Sequence, residues 1–449
     1  MKKFINTLKN IWSIEELRKR IVFTLALLLI YRLGVQIVLP GIDANILSNL
    51  TPAAQDGLLG MINMFAGGAF SKASIFALGI MPYISASIAM QLAQIAVPQI
   101  QKLQKEESGR KKVQMYTRYL TVIVTLFQSI GYISFIRQQY GPAIVNDNFL
   151  WMVTTVIVLV SGTLFVMWMG EKITDKGIGN GTSLLIMAGI IARFFPLTAQ
   201  EWASKSQGGG GMLIFLVEIA VMIAVIMAIV LLSQAVRRIP INYARRMVGA
   251  SSAKDISGNR DFIPLKVNSA GVMPIIFAQA IMFIPSMFAG FSENPDSWVA
   301  RLSDYTSLGY NLIYFVMVVG FTYLYTAIII NPNQMADDLK RNNAFIPGVK
   351  PGTDTSNFIG MVLDRITLPG AVFLAVIGIM PGIAALFGVT QGFAQFYGGT
   401  SMLIAVQVIL DTLQQIESHL LMRHYDGLTD TGRMGGRQPR TTPTQVANG

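Results

Sequence analysis

The side chains that most often carry enzyme chemistry are nearly absent from this sequence. Cysteine does not occur among the 449 residues, and histidine occurs only twice, at His419 and His424. The sequence therefore excludes a thiolate nucleophile, a cysteine metal site and a disulfide, and leaves a Ser-His pair almost no histidine to use. No Walker lysine motif and no H-E-x-x-H motif occurs. We therefore predict that the chain is not an enzyme and that it uses no metal or cofactor.

Ionisable residues inside apolar segments are the next candidates, because in transporters they mark ion and proton pathways. The candidates are Arg32, Glu218 and Asp411, together with Glu417 just beyond the last apolar segment. Arg32 and Glu218 lie toward the ends of their apolar segments, and Asp411 also lies near an end. No central carboxylate or histidine pair emerges, so a secondary transporter of a small solute is kept as the alternative function.

Isoleucines spaced four residues apart form a different pattern. Ile80 and Ile84 make one such pair, and Ile186 and Ile190 make another. This spacing places both members of a pair on one face of a helix. Such a face can line a pore that apolar side chains seal, or it can pack against lipid and other helices. From the spacing alone, packing is the favoured interpretation.

The elements that must position these residues are membrane-spanning helices. Hydrophobic residues make up 52% of the chain and charged residues only 13%, whereas soluble domains carry about a quarter charged residues. Apolar runs of about 20 residues, each long enough to cross a hydrocarbon core of ~30 Å, recur along the chain. The ten predicted spans are 21–39, 73–97, 116–136, 149–169, 182–195, 212–236, 268–291, 310–330, 366–387 and 395–415.

Lysine and arginine are distributed unequally between the connecting segments. Of the 35 basic residues, 29 lie in segments 1–20, 98–118, 170–181, 237–267, 331–365 and 422–449. Basic connecting segments stay on the cytoplasmic side of a membrane. We therefore predict that both termini are cytoplasmic, which requires an even number of spans. The formal net charge of +11 is then a property of one face of the protein.

Two of the basic segments, 237–267 and 331–365, are longer than a simple connection needs. The second contains the turn sequence PGVKPG at 347–352, which is expected to present Lys350 at an exposed tip. These loops could dock a partner, or they could only maintain topology and contact anionic lipid. Residues 422–449 are rich in Thr, Gly, Pro and Arg, which predicts a disordered cytoplasmic tail.

Several motifs together resemble the SecY family, whose members form the central subunit of the bacterial protein-conducting channel. They are NMFAGGA at 63–69, SIFALGIMPYISAS at 74–87, GIGNG at 177–181, PLKVN at 264–268 followed by AGV at 270–272, and GGTS at 398–401. The resemblance extends in order from the first predicted span to the last.

This resemblance implies an all-α integral membrane fold with ten helices in two pseudo-symmetric halves around an hourglass pore. The first half would be 21–200 and the second 201–421, joined by a loop at 196–211 whose glycines suit a hinge. The resemblance also implies an apolar pore ring that excludes ions by dewetting when it is empty. The implied ring residues are Ile80, Ile84, Ile186, Ile190, Ile276 and Ile404.

The resemblance further implies a plug at about 58–72 that closes the outer funnel. The plug residues would be Leu58, Gly60, Asn63, Met64, Phe65, Gly67 and Gly68. Because glycine weakens a helix, we expect this segment to be broken and weakly held. A lateral gate is implied where spans 2 and 3 part from spans 7 and 8. Its candidate polar residues, each of which could instead make an ordinary interhelical hydrogen bond, are Ser85, Ser87, Gln91, Gln128, Asn268 and Gln279.

The implied function is that of the Sec-pathway channel in the bacterial cytoplasmic (inner) membrane. Such a channel moves unfolded secretory polypeptides across the membrane and releases membrane segments sideways into lipid. The implied partners are SecE and SecG, the SecA ATPase, the ribosome, signal sequences and membrane lipids, without a small-molecule substrate. The docking residues would be Arg245, Arg246, Lys340, Arg341 and Lys350. The family usually has Arg at the position of Lys350, so a fixed bidentate carboxylate contact is weakened there.

Overall fold

The computed structural model describes residues 14–50, 65–97, 106–145, 147–206, 211–243, 260–289 and 306–431, together with residues 12, 63, 99, 100 and 103. Its helices are α1 (Glu15–Gly34), α2 (Ala44–Leu50), α3 (Met81–Ala96), α4 (Glu107–Tyr140), α5 (Phe149–Lys176), α6 (Gly181–Ser206), α7 (Gly211–Gln234), α8 (Met273–Ala289), α9 (Leu308–Ile329), α10 (Pro332–Arg341), α11 (Thr353–Leu386), α12 (Gln391–Ala394) and α13 (Gly399–Thr431). Its strands are β1 (Val236–Tyr243), β2 (Arg260–Lys266) and β3 (Ala344–Phe345).

Each of the ten predicted spans coincides with a long helix. In the described part of the chain, six of these helices are long and apolar enough to cross a membrane, namely α4, α5, α6, α7, α9 and α11. The predicted all-α membrane architecture is therefore confirmed. Crossing by α1, α3, α8 and α13 stays a prediction, because α3 and α8 have only 16 and 17 residues and the other two contain more polar side chains.

The second and seventh spans begin later than predicted. Helix α3 starts at Met81 instead of 73, and α8 starts at Met273 instead of 268. Each start has a proline at its second position, Pro82 and Pro274, where a missing N–H breaks no helical hydrogen bond. Residues 73–80 form turns instead, because their backbone pairs with 37–39: the N–H of Leu39 donates to the carbonyl of Ala73 at 2.8 Å.

The fifth span is longer than its apolar run, and the predicted loop at 196–211 is wrong over most of its length. Helix α6 continues through Pro196 to Ser206. A proline is tolerated inside a membrane helix when neighbouring groups satisfy the freed backbone atoms. Of the glycine run proposed as a hinge, residues 208–210 lie outside the described residues.

The last two spans also extend beyond their apolar cores. Helix α11 begins at Thr353, well before the predicted start at 366, and α13 continues to Thr431. The tail predicted to be disordered from 422 is therefore helical as far as 431, since good helix formers such as Leu, Met and Arg follow the apolar run. Residues 432–449 and most of the amino-terminal segment 1–20 lie outside the described residues.

The two long loops form a small sheet, which the sequence did not predict. Strand β1 is central, pairing antiparallel with β2 from Val236↔Lys266 to Asn242↔Arg260 and with β3 at Tyr243↔Ala344. Its inward side chains form a second apolar core with the start of α11. The buried members of this core are Ile239, Ile241, Leu265, Ile346, Ile359 and Leu363. The loops and α11 therefore form one compact unit beside the helices.

Connecting segments that the charge distribution places on the same side also contact each other. On the predicted outer side, the N–H of Asp43 donates to Ala143 O at 2.9 Å, and Lys205 Nζ donates to Gly388 O at 2.9 Å. On the predicted cytoplasmic side, the N–H of Gly179 donates to Gln415 Oε1 at 2.8 Å. The helices therefore align with like ends together, as spans in one membrane must.

Candidate functional site

The isoleucines of the implied pore ring all join one apolar cluster. Ile84 lies on α3, and Ile80 directly precedes that helix. The others are Ile186 and Ile190 on α6, Ile276 on α8 and Ile404 on α13. Ile80, Ile186, Ile190 and Ile404 are buried, whereas Ile84 and Ile276 are partly buried and pack against the same cluster. Residues far apart in sequence are thus brought to one apolar region.

The described part of the plug lies directly against this region. Gly67, whose φ is +64°, approaches α6 so closely that an added Cβ would lie 2.8 Å from the Cα of Gly189. Gly189 lies between Ile186 and Ile190 on α6, and a Cβ there would lie 3.0 Å from the backbone of Gly67. The two glycines therefore allow backbone-to-backbone contact between the plug and the helix that carries two ring residues.

Side chains of two helices donate hydrogen bonds to backbone carbonyls of the plug. Arg32 Nη1 donates to the carbonyl of Gly67 at 2.8 Å, and the hydroxyl of Tyr132 donates to the carbonyl of Phe70 at 2.7 Å. Phe65 and Ala69 are buried. The glycine turn weakens helical pairing, but it leaves backbone carbonyls for side chains to bind. These hydrogen bonds fix the position of the described residues, and the expectation of a weakly held segment stays a prediction.

Asn63 accepts two hydrogen bonds within the plug segment. Its side-chain Oδ1 accepts from the N–H of Ser71 at 3.1 Å, and its backbone carbonyl accepts from the N–H of Gly68 at 2.8 Å. Three other predicted plug residues, Leu58, Gly60 and Met64, lie outside the described residues.

Three basic side chains surround the plug. Arg32 and Arg193 come from α1 and α6. Lys72 is the last residue of the predicted plug and donates to Gln36 Oε1 at 2.6 Å. Partial burial, and then the charges of Arg32 and Arg193, lower the pKa of Lys72. The side of the plug that faces these groups is therefore strongly positive.

A small, partly open cavity borders the plug. Phe65 lines it from the plug, and Gln279, Tyr314 and Thr400 line it from α8, α9 and α13. Gln395 also lines it, and its side-chain Nε2 is buried without a hydrogen-bond partner. The plug therefore lies beside a cavity lined by α8, α9 and α13, which all belong to the second half of the sequence.

One of the predicted gate residues makes a bond between distant helices. Gln91 on α3 accepts a hydrogen bond at Oε1 from the hydroxyl of Tyr325 on α9, at 2.6 Å. Sequence reasoning missed Tyr325, because α9 contains several tyrosines and nothing in their spacing identifies a partner on another helix. This bond joins the second and eighth predicted spans.

An apolar cluster surrounds that bond. Its buried members are Ile88 from α3, Phe277 from α8, Tyr325 from α9 and Ala270. The ring of Phe277 lies 5.0 Å from that of Tyr325, measured between centroids. The ring residues Ile84 and Ile276 pack against this cluster as well as against the main core. We call this cluster, with the Gln91–Tyr325 bond, the seam.

The other predicted gate residues have different surroundings. Ser85 donates to the carbonyl of Met81 in its own helix, and Ser87 accepts from Gln91 in the same helix. Gln279 accepts from Thr400 on α13 at 2.6 Å, so this bond connects α8 to α13. The two remaining candidates are Gln128, which is half-buried on α4, and Asn268, which is buried with an unpartnered Oδ1.

The predicted docking residues lie on the compact unit formed by the long loops. Lys340 and Arg341 end α10 and are exposed, as is Lys350 in the turn before α11. The hydroxyl of Thr355 donates to the carbonyl of Lys350 at 2.8 Å, which fixes that turn. Arg245 and Arg246 lie outside the described residues. Within the described part of the chain, no three His, Cys, Asp or Glu side chains are grouped to hold a metal ion.

Comparison with known proteins points to one family. The family model described as SecY matches residues 74–413. The protein translocase subunit SecY of Aquifex aeolicus is 42% identical over 427 residues, covering 93% of this chain and 98% of the relative. That of Chlamydia trachomatis is 38% identical over 457 residues, covering 96% and 99%.

Solved structures show the same fold. A structure described as that of a protein conducting channel superposes with a TM-score of 0.62 at 15% identity, covering 93% of this chain and 95% of that one. Sec61 in the canine ribosome–channel complex gives a TM-score of 0.59 at 15% identity, with the same coverage.

Proposed function

The chain belongs to the SecY family of protein translocase subunits, and from that membership we propose how its residues conduct polypeptide. Members of this family are protein-conducting channels and not enzymes. The alternative function, a secondary transporter of a small solute, has no support from the relatives. Unfolded secretory polypeptides are the substrate, and they pass through the apolar region where α3, α6, α8 and α13 meet.

The single observation that carries this proposal is the contact of the plug with α6 at Gly189, between the ring residues Ile186 and Ile190. All six isoleucines belong to, or pack against, the apolar core that surrounds this contact. An apolar constriction sheds water when empty, which blocks ions, and its side chains can move aside for a chain. The Gly67–Gly189 contact places the plug against this constriction. In the closed state the ring and the plug therefore form two successive seals.

Lateral release follows from the seam. A signal sequence or membrane segment must leave the channel between helices, and the seam offers one polar bond surrounded by apolar contacts. Hydrogen bonds between membrane helices average about 0.6 kcal/mol. That strength permits opening when an apolar segment replaces the lost contacts.

The compact unit of loops docks the machinery that supplies energy, because the described chain offers no site of its own for that task. Exposed Lys340, Arg341 and Lys350 suit a phosphate-rich or acidic surface. The ribosome is one such partner, as in the canine complex that shares this fold. SecA is the other, and SecE and SecG are the small membrane subunits. This arrangement requires both termini to be cytoplasmic in the bacterial inner membrane.

Site-specific crosslinking of an arrested secretory chain tests the path. Photoreactive residues placed at Ile84, Ile190 and Ile404 should each capture the chain, because all three are ring residues on different helices. A probe at Leu216 on α7 serves as the control, since that side chain is 63% exposed on an outward helix face. Capture at Leu216 without capture at the three isoleucines would overturn the proposed path.

A further inference from the structure

Five polar side chains meet inside the protein near the end of α6. Glu201 and Lys205 come from α6, Glu218 from α7, Thr390 from the turn before α12 and Tyr397 from the turn after it. Glu201 is 0% exposed, Glu218 6% and Tyr397 3%. Ionisable side chains are almost never buried to this degree without being paired. We call this group the outer cluster.

Lys205 holds the outer cluster together. Its Nζ lies 3.7 Å from Oε1 of Glu201 and 3.2 Å from Oε1 of Glu218. It also donates to the carbonyl of Gly388 at 2.9 Å. The second oxygen of Glu201 accepts hydrogen bonds from the backbone N–H and the hydroxyl of Thr390. One ammonium group therefore serves two carboxyl groups.

The charges in the outer cluster do not balance. Two ionised carboxyl groups and one ammonium would leave a net charge of −1 away from water. In the described part of the chain, the charged groups that act on Glu218 are Lys205 and Glu201. The charged groups that act on Tyr397 are Glu201 and Glu218. The adjoining residues 207–210, Gln-Gly-Gly-Gly, carry no charge. A buried carboxyl group without a compensating cation binds a proton.

Two oxygens of the outer cluster lack a partner. Lys205 contacts Oε1 of both glutamates, but Oε2 of Glu218 and the hydroxyl of Tyr397 are buried without a hydrogen-bond partner. Buried polar atoms are nearly always hydrogen-bonded. A proton on one carboxyl group would convert one of these oxygens into a donor for another. The uncompensated negative charge and the missing hydrogen-bond donor thus both indicate a bound proton.

We propose that Glu201 and Glu218 form a proton-binding site that holds one proton at neutral pH. The proton is held between the two carboxyl groups, because both contact the single ammonium group of Lys205. A metal ion is a poor alternative ligand, since the ammonium group of Lys205 already contacts both carboxyl groups.

The site joins α6 to α7 and to the turn at 387–390. The joint therefore connects the end of α6 to the neighbouring helices on the predicted outer side. Loss of the proton leaves an uncompensated negative charge at the joint and weakens it. Acidification outside the membrane therefore tightens the joint, and alkaline conditions loosen it.

Thermal unfolding of the full-length protein in lipid nanodiscs, measured at several pH values, tests the site. A folded state that binds the proton more tightly than the unfolded state loses stability as pH rises. Glu218→Gln keeps the shape of the protonated acid and removes the excess charge. We expect its Tm to match that of the wild type at about pH 4, where glutamates of the unfolded chain are also largely protonated, and to exceed it by about 2 °C at about pH 9.

Asp147→Asn is the matched control, because Asp147 is an exposed carboxylate in an ion pair with Arg137 at 2.6 Å. It should leave the pH dependence of Tm as in the wild type. An equal loss of Tm at both pH values in Glu218→Gln would overturn the proposal, because it would mean that Glu218 is ionised and paired throughout.

Infrared spectroscopy gives a second measurement that does not depend on unfolding. The wild type at neutral pH should show the C=O absorption of a protonated carboxylic acid. Removing either carboxyl group leaves one carboxylate paired with Lys205, so the absorption should vanish in both Glu201→Gln and Glu218→Gln. Its absence from the wild type, or its persistence in both variants, would overturn the assignment.

Discussion

Tyr325 combines two kinds of interaction at the seam. Its ring packs against Phe277, while its hydroxyl donates to Gln91 on the facing helix. The apolar contact is the larger in area, but it can be exchanged for contact with lipid or with an incoming apolar segment. The hydrogen bond cannot be replaced in that way. It therefore opposes opening even when the apolar contacts are balanced.

The variant Tyr325→Phe should make the gate easier to open. It keeps the ring and removes a bond worth about 0.6 kcal/mol, and at most about 1.7 kcal/mol. We expect about a threefold gain in export of a client whose signal sequence has been made less hydrophobic. Pulse-labelling of that client in cells measures this gain.

Tyr323→Phe is the control, because Tyr323 lies on the same helix outside the seam. Equal export in the two variants would show that the Gln91–Tyr325 bond does not restrain the gate.

Sequence reasoning found half of this bond. Gln91 could be identified because the resemblance covers the motif just before it. Tyr325 could not, since it lies 234 residues from Gln91 and its partner is determined by how α3 and α9 pack. Gln279 was also predicted at the gate, and the sequence did not reveal its bond with Thr400 on α13. Residue type predicts hydrogen-bonding capacity, but the fold selects the partner.

At the scale of elements, the plug and α6 are fitted to each other by two glycines. Any side chain at Gly189 would press on the backbone of Gly67. Backbone atoms cannot rotate aside as a flexible side chain can, so the plug itself would have to move. The position of one small residue on α6 thus controls whether the plug can reach its seat.

Gly189→Val should unseat the plug and let ions through the idle channel. Overpacking of this kind costs about 1–3 kcal/mol, which shifts the closed state toward open by roughly tenfold. Conductance of the purified channel in planar bilayers measures the effect.

Gly131→Val on α4 is the matched control, because no atom lies within 4 Å of the Cβ position there. Unchanged conductance in Gly189→Val, or the same rise in both variants, would contradict this account of the seat.

The elements themselves were predictable to different degrees. Long apolar runs located all ten long helices, because burial in lipid requires a continuous apolar segment. The ends were less predictable, since α6 and α11 continue past their apolar residues into contacts with other parts of the chain. The strands were missed because Pro240 and Pro264 argue against a ladder. The sheet depends on packing of Ile239 and Ile241 against α11, which no local pattern reveals.

At the scale of the whole molecule, the chain has two chemically different ends. The charge distribution separates basic segments from the rest, and contacts between connecting segments respect that separation. The orientation in the membrane follows only from the rule that basic segments stay in the cytoplasm.

Single-cysteine labelling should establish this orientation, and the natural absence of cysteine makes it clean. In spheroplasts, a membrane-impermeant maleimide should label Asp147→Cys and leave Asn342→Cys unlabelled, since both positions are exposed but lie on opposite predicted sides. After permeabilisation both should react. Labelling of Asn342→Cys in intact spheroplasts would reverse the orientation.

Helix α11 also gives the molecule a mechanical property. It starts in the compact unit of loops, packs there through Ile359 and Leu363, and ends beyond Pro381, which contacts Gly399 at the start of α13. Its 34 residues, with Pro369 and Pro381 inside the helix, extend over about 50 Å. A tilt of about 5° at the base would displace its far end by about 4 Å over that length. A partner that pushes on the unit of loops should therefore move the far end of α11, which lies on the predicted outer side.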